Sequence, residues 1–435
     1  MSVASDVLAR NFPGSDRELV VGGLPVTALA AEFGTPLFVY DGDIVDRAWR
    51  GLRDALPAPF DIHYSVKANP NPALIRRMLA HGAGLEIASA GELHLALHAG
   101  APPERILFAG PGKTDAELEL AIKHGIGEIH VESTVEIERV ASLGARLGVK
   151  VPVGVRVNPG SEAQGGAMRM GGTASPFGID EERLEPAVLG ILERSTLDLR
   201  GLHLFVGTQV LDHRTLLRQY RMGLRLADRV ASLVGHRITT LDFGGGLGIP
   251  YFASERPLDI AQFGHGVRTL VAGRIGDPLT PARFVVEPGR YLVGEAGVYV
   301  TRVVDVKESR GKRFVVLDGG MNHHLAASGN LGQVIKRNFP VLVANRLQEA
   351  PTTPIDLVGP LCTPLDVLAR DVELPAAQIG DLVAVLQSGA YARAASPLGF
   401  LSHPAPPEVM VENGRARPIR RRGEHDDLLG DLIDG

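Results

Sequence analysis

From Asp61 to Arg290 the chain alternates short apolar, β-branched runs with amphipathic helical patterns, and this rhythm limits the fold more than any single motif does. Strands are predicted at 62–66, 84–88, 106–109, 129–131, 153–157, 199–205, 240–243 and 284–286. Helices are predicted between them at 72–81, 90–98, 115–124, 134–147, 180–194, 214–234 and 260–273. Strands that are apolar almost throughout indicate a parallel sheet covered by helices, and eight repeats fit a closed (β/α)8 TIM barrel. A doubly wound open sheet is the alternative. A barrel collects its active site at the C-terminal ends of its strands. The chemically unusual residues fall there: Lys67 after the first strand, Glu86 on the second, Arg156 and Asn158 on the fifth, His203 and Phe205 on the sixth, Gly244-Gly245-Gly246 after the seventh, and Glu287 to Arg290 after the eighth.

Beyond Arg290 the rhythm changes to strands separated by Gly and Pro, predicted at 298–306, 313–317, 355–358, 382–385 and 408–411. The expected division is a barrel over 36–290, a mainly β domain from 1–35 plus 291–425, and a tail over 426–435. A hairpin-like stretch at 19–26, followed by a short helix at 26–33, is placed with the β domain. The irregular segment 159–178 is a lid candidate, because loops of that length are often functional. Basic 415–422 and acidic 424–434 read as a solvated terminal helix.

A formal charge of -5 gives no general basic surface for nucleic acid or membrane. No stretch is long and apolar enough for a span, and the first twenty residues lack a signal-peptide core, so a cytoplasmic location is the default expectation. The single cysteine, Cys362, excludes an internal disulfide and a cysteine-based zinc cluster, and no metal site is expected.

Lys67 follows an apolar strand and precedes the breaker Asn69-Pro70-Asn71-Pro72. An amine with its stem in apolar surroundings can act as a nucleophile toward a carbonyl, although a lone strand-end lysine is usually an ordinary loop residue. The glycine turn at 244–246 lets backbone N–H groups approach an anion, Arg290 suits phosphate, and Glu287 supplies a carboxylate at the same rim. Amine, phosphate cradle and carboxylate together describe pyridoxal 5'-phosphate. Lys67 would form the Schiff base, and Glu287 would keep the pyridine nitrogen cationic, making the ring an electron sink.

The ordered motifs Tyr64-Ser65-Val66-Lys67-Ala68-Asn69, Glu86 to Leu93, Arg156-Val157-Asn158-Pro159, Phe243-Gly244-Gly245-Gly246, Glu287-Pro288-Gly289-Arg290, Gly359-Pro360-Leu361-Cys362 and Gly389-Ala390-Tyr391 resemble those of the fold type III pyridoxal-phosphate decarboxylases, the group of diaminopimelate and ornithine decarboxylases. The resemblance implies an alanine racemase-like barrel plus a β-sandwich or β-barrel domain, and a homodimer with shared active sites. It implies that Lys67, Glu86, Arg156, Phe205, Thr208, Gly245, Gly246, Glu287, Arg290 and Tyr391 bind the cofactor. Lys67, Cys362 and His203 would be catalytic, with Cys362 reaching in from the other subunit to help return a proton to Cα. Thr363, Asp366, His323, His324 and Phe400 would face the substrate.

Two departures bear on the substrate. The family commonly has His at the ring-stacking position occupied here by Phe205, which offers a flat face but no proton; His203, two residues earlier, is the candidate polar partner. The acidic residue that follows the cysteine in these enzymes is replaced by Thr363, and the Arg-Pro and Tyr for a distal carboxylate are replaced by His323-His324-Leu325-Ala326-Ala327-Ser328-Gly329. Loss of both charged determinants argues against free diaminopimelate. The pattern is similar to the branch acting on conjugated or carrier-protein-bound amino acids in natural-product biosynthesis. The expected reaction is α-decarboxylation through a Lys67 Schiff base and a quinonoid. The alternatives are diaminopimelate decarboxylase of lysine biosynthesis, an amino-acid racemase, or a non-catalytic homologue.

Overall fold

The computed structural model describes residues 3–160, 168–169, 174–205, 207–274, 277–333, 335–352 and 354–433. Most of the lid candidate at 159–178 therefore lies outside the described residues. The chain divides into two units, one of residues 49–249 and 256–291, the other of 1–48, 250–255 and 292–435.

The first unit is the expected closed barrel of eight parallel strands: β1 (Phe60–Ser65), β2 (Gly84–Ile87), β3 (Ile106–Phe108), β4 (Glu128–Val131), β5 (Val151–Asn158), β6 (Leu197–Leu204), β7 (Thr240–Asp242) and β8 (Arg283–Val286). Pairing of Phe284 with Phe60 and of Val285 with Asp61 joins the last strand to the first, and β4 pairs with β5, so the open-sheet alternative is excluded. Local sequence sets the turn into each helix. Asn71, Ser89, Thr114, Ser133, Asp212 and Asp259 each accept a bond from a backbone N–H of the first helical turn. Such caps contribute about 1 kcal/mol apiece and fix where each strand-end loop stops. Stacked rings fill the space around the strands, with Tyr220 and Phe243 centroids 4.0 Å apart and Phe60 against Phe284 at 5.0 Å. Inside the barrel the His63 ring occupies the space beside Gly84, where an added Cβ would come within 2.3 Å of it.

The second unit is built on the long strand Gly297–Ser309, which pairs antiparallel with Leu37–Asp41, Lys312–Leu317 and Leu382–Val385. Leu37–Asp41 also runs parallel to Glu408–Glu412, which pairs with Arg415–Arg420. The first of these corrects the sequence boundary. Leu37–Asp41, placed on the barrel side at 36, is buried on both faces inside the β sheet, and two-sided burial removes the alternation that marks a strand. Val341–Val343 and Val367–Glu373 also form strands that the sequence pattern did not reveal. The basic stretch is not helical: Arg415–Arg420 is an edge strand, and Arg420 pairs with Glu408 at 2.5 Å. Charge and proline on an edge discourage further pairing. The acidic tail forms only a short 3-10 turn, His425–Leu429. The hairpin Val20–Val21 with Leu24–Pro25 makes a small sheet of its own. Among the described residues no helix is long and apolar enough to cross a membrane.

Buried neutral histidines make acid stability a direct test of both units. Burial lowers His63 to about 4, and His323 and His324 to about 3, against about 6.5 when exposed. As pH falls below about 6.5 the unfolded chain takes up these protons first, so stability declines through pH 6.5 to 4 and levels off below the folded values. For His63 the loss is roughly 3 kcal/mol. Urea midpoints should fall steeply between pH 7 and 5, and His63→Asn should flatten part of that slope; equal slopes in the two proteins would contradict the assignment.

Candidate active site

Lys67 sits in the 3-10 turn Val66–Ala68 that follows β1, rather than on the strand itself. The turn is held from inside: the Tyr64 hydroxyl donates to the Asn69 carbonyl at 2.9 Å, and Asn69 Oδ1 accepts from the N–H of Asn71 at 3.2 Å. Lys67 Nζ donates to Glu86 Oε2 at 2.5 Å, and the Ser65 hydroxyl donates to the same oxygen at 2.6 Å. Glu86 is buried whereas the Lys67 side chain is 37% exposed, so the amine is anchored at Glu86 on a side chain that remains accessible. It opens into a cavity of about 190 Å³ lined by Lys67, Glu86, Arg156, His203, Phe205 and Glu287. One strand turn further on, burial and the nearby Glu86 charge push the Glu92 carboxyl up to about 7.

Opposite the amine lies a buried cluster from β4, β6, β7 and β8. Potential ligand atoms of His130, His203, Asp242 and Glu287 all lie within 4.8 Å of one another. His203 Nε2 is 3.3 Å from Glu287 Oε2, and its ring packs on His130 with centroids 4.3 Å apart. Two buried carboxylates this close cannot both be ionised at neutral pH. Burial and the Glu287 charge raise Asp242 well above the usual range, and it keeps the proton. Burial also acts against Glu287, but contact with His203 and the Lys67 charge outweigh it and hold the carboxyl well below that range. Burial lowers His203, which is therefore neutral at pH 7. One proton shared with Asp242 accounts for the spacing of the cluster. Glu287 Oε1 meets no N–H or hydroxyl donor among the described residues, which leaves the acid proton of Asp242 as its partner, and Glu287 also lines the cavity.

The glycines are demanded by backbone crowding. Gly244 and Gly246 have φ of +68° and +97°, and a Cβ on Gly245 would lie 2.4 Å from the Glu287 carbonyl. The Gly244 N–H is taken by Asp242 Oδ1 at 2.8 Å, whereas those of Gly245 and Gly246 meet no acceptor among the described residues. Thr208 follows β6 and pairs its backbone with Met168, and Arg290 opens the short helix Arg290–Val293. A lysine and an ionised carboxylate that line one cavity, with two N–H groups on a glycine turn that meet no acceptor among the described residues, match the aldehyde, the ring nitrogen and the phosphate of pyridoxal phosphate. The residues present fit that cofactor.

Arg156 and His203 have partners that the sequence did not indicate. The Arg156 guanidinium pairs with Glu132 at 2.7 Å and lies over the rings of Phe177 and Phe205 at 5.1 and 5.8 Å. His203 is turned into the cluster, against His130 and Glu287. Asp242, His130, Glu128, Glu132 and Phe177 were all missed. A polar residue on or just after an otherwise apolar strand was the available signal: β4 carries Glu128 and His130, and Glu132 follows its last residue. A second buried amine, Lys113, is fully engaged by the carbonyls of Gly110 and His130 and by Glu136 at 3.0 Å.

The remaining expected residues belong to the β unit. Cys362 is exposed, Thr363 and Tyr391 are half-buried, and Phe400 is exposed. Three of the expected substrate contacts have structural employment there. Asp366 accepts the N–H groups of Met321 at 2.6 Å and Leu361 at 2.9 Å, one on each oxygen. His324 Nδ1 accepts the Ala327 N–H, which leaves Nε2 to donate to the Ser388 hydroxyl at 2.9 Å. His323 lies between the Tyr299 hydroxyl and Asn322, both at 3.1 Å. A charge run in sequence does not distinguish such internal ties from ligand contacts.

Comparison with known proteins agrees with this cofactor. Residues 42–294 match the family model described as the pyridoxal-dependent decarboxylase, pyridoxal binding domain. The chain is 38% identical over 407 residues to the L-glutamyl-[BtrI acyl-carrier protein] decarboxylase of Niallia circulans, covering 93% of this chain and 95% of that one. It is 34% identical over 429 residues to the diaminopimelate decarboxylase of Aquifex aeolicus, covering 96% of each. The crystal structure of diaminopimelate decarboxylase from M. jannaschi superposes with a TM-score of 0.89 at 25% identity, covering 98% of both chains.

Proposed function

The chain belongs to the pyridoxal-dependent decarboxylases, and from that premise we propose that it removes the α-carboxylate of an amino acid whose distal end is tethered to a carrier protein or otherwise conjugated. The observation that carries the substrate half of this reading is the internal employment of Asp366, His323 and His324. With neutral Thr363 beside Cys362, these residues offer no free charge to a distal ammonium or carboxylate. Sites that select charged groups do so through charge-assisted bonds, and a site lacking them gains nothing from a free distal charge. The Niallia circulans relative acts on a glutamyl group held by an acyl-carrier protein, which supports the same reading.

In this reading Lys67 holds the cofactor's aldehyde carbon, with Glu86 and Ser65 fixing the amine. Gly245 and Gly246 hold the phosphate through their N–H groups, together with Thr208, Arg290 and Tyr391. Phe205 supplies a flat apolar face. Glu287 stays anionic because Asp242 keeps the shared proton, and so retains a proton on the ring nitrogen. Bound there, pyridoxal phosphate supplies an electron sink for the pair left when carbon dioxide departs. Cys362, supplied by the second subunit of a homodimer, returns a proton to Cα.

Carbon dioxide release should be compared for L-glutamyl thioester on an acyl-carrier protein, free L-glutamate and meso-diaminopimelate. The tethered substrate is expected to have the higher kcat/KM, by about 10²-fold or more. Efficient turnover of meso-diaminopimelate with none of the thioester would replace this reading with the lysine-biosynthetic alternative.

A further inference from the structure

The longest helix of the barrel unit, His213–Val234, carries a row of arginines on its outer side. Arg214, Arg218, Arg221 and Arg225 are all exposed and are spaced four, three and four residues apart, which places them on one helical face. Leu216, Leu217, Tyr220, Leu224 and Ala227 lie on the buried side. Like charges at such spacing repel and destabilise a helix. Several other surface arginines of the barrel unit are paired: Arg146 with Glu119, Arg139 with Asp115 and Arg274 with Asp228. The same helix shows the contrast in its later half, where Arg229 reaches Glu185 at 2.8 Å. In the first half, Arg214, Arg218 and Arg221 meet no carboxylate among the described residues, and Arg218 donates only to the Thr215 hydroxyl. From Asp212 to Asp228 the helix has no acidic residue, although the whole chain is net negative.

The position of this row matters as much as its charge. The helix follows β6 through the segment that contains Phe205 and Thr208, and helices of a parallel barrel run back from the rim at which the strands end. Its first turns therefore start at the rim that carries Lys67 and Glu287. From Arg214 to Arg225 the row extends about 16 Å along the outer wall. Three rim-side arginines, Arg214, Arg218 and Arg221, that meet no carboxylate among the described residues of an acidic protein are complementary to an acidic protein surface and steer such a partner to the mouth of the site.

We propose that the Arg214, Arg218 and Arg221 face docks a carrier protein of acidic surface that delivers the tethered amino acid. The inference rests on the carrier-tethered reading above. Its test is the triple variants Arg214→Glu/Arg218→Glu/Arg221→Glu and Arg214→Gln/Arg218→Gln/Arg221→Gln, assayed with two forms of one substrate: L-glutamyl acyl-carrier protein and the L-glutamyl thioester of pantetheine. The charge-reversed protein should show a KM for the carrier-bound form about 10- to 100-fold higher, with kcat near wild type, and the glutamine variant should fall between the two. KM for the small thioester should change less than about twofold in both, which also reports an intact fold. Added salt should raise the wild-type KM for the carrier-bound form and leave that of the reversed variant nearly flat. Unchanged carrier KM in both variants overturns the docking surface while leaving the substrate reading intact. A wild-type enzyme that ignores both thioesters and turns over a free amino acid overturns the reading and the docking surface together.

Discussion

Lys67→Ala should lower kcat by at least about 10³-fold and abolish the visible absorbance of a protonated Schiff base when pyridoxal phosphate is added. Lys67 is the half-open amine at the rim, whereas Lys113 is buried with its protons committed to two carbonyls and Glu136. The alanine variant should fold, because a 37% exposed side chain contributes little packing, and among its losses is the contact to Glu86. Exogenous small amines should restore part of the turnover, since they can approach through the same opening. Measurement of kcat together with the absorbance spectrum checks both statements. Wild-type turnover in the variant would remove Lys67 from the chemistry altogether.

Glu287→Gln should leave the Schiff-base absorbance in place and still lower kcat by about 10²- to 10³-fold. The carboxylate is fully buried, and it is ionised despite burial because Asp242 retains the shared proton. A neutral amide there can neither keep a ring nitrogen protonated nor hold Asp242 in its acid form. Once the neighbouring charge is gone, the Asp242 carboxyl should titrate lower than before, although burial still raises it. The two variants are thus distinguishable: one loses the absorbance and the rate, the other the rate alone. Equal kcat in wild type and Glu287→Gln would contradict the role given to the whole cluster.

The barrel was legible because each of its strands is apolar and each helix amphipathic, so two periods alternate in the sequence with caps at the joins. Lys67, Glu86, Glu287 and the glycine turn were legible for the same reason, since strand ends mark the rim. Leu37–Asp41 was not, because its partners Gly297–Ser309 and Glu408–Glu412 lie hundreds of residues away and both of its faces are buried. Asp242 was hidden for a chemical reason. Its character depends on a proton shared with a carboxylate at the end of the neighbouring strand, and residue type alone does not carry that. For Asp366 and His324, motif position pointed to the substrate, and nothing in the sequence signalled the internal bonds they make to backbone N–H groups and to Ser388.

The account depends most on the amine that holds the cofactor. Borohydride reduction of the enzyme loaded with pyridoxal phosphate, followed by mass mapping of its peptides, locates that amine without reference to any substrate. The pyridoxyl group should appear on the peptide containing Lys67 and on no other. Its appearance on the Lys113 peptide, or on none, would contradict the site described for this protein.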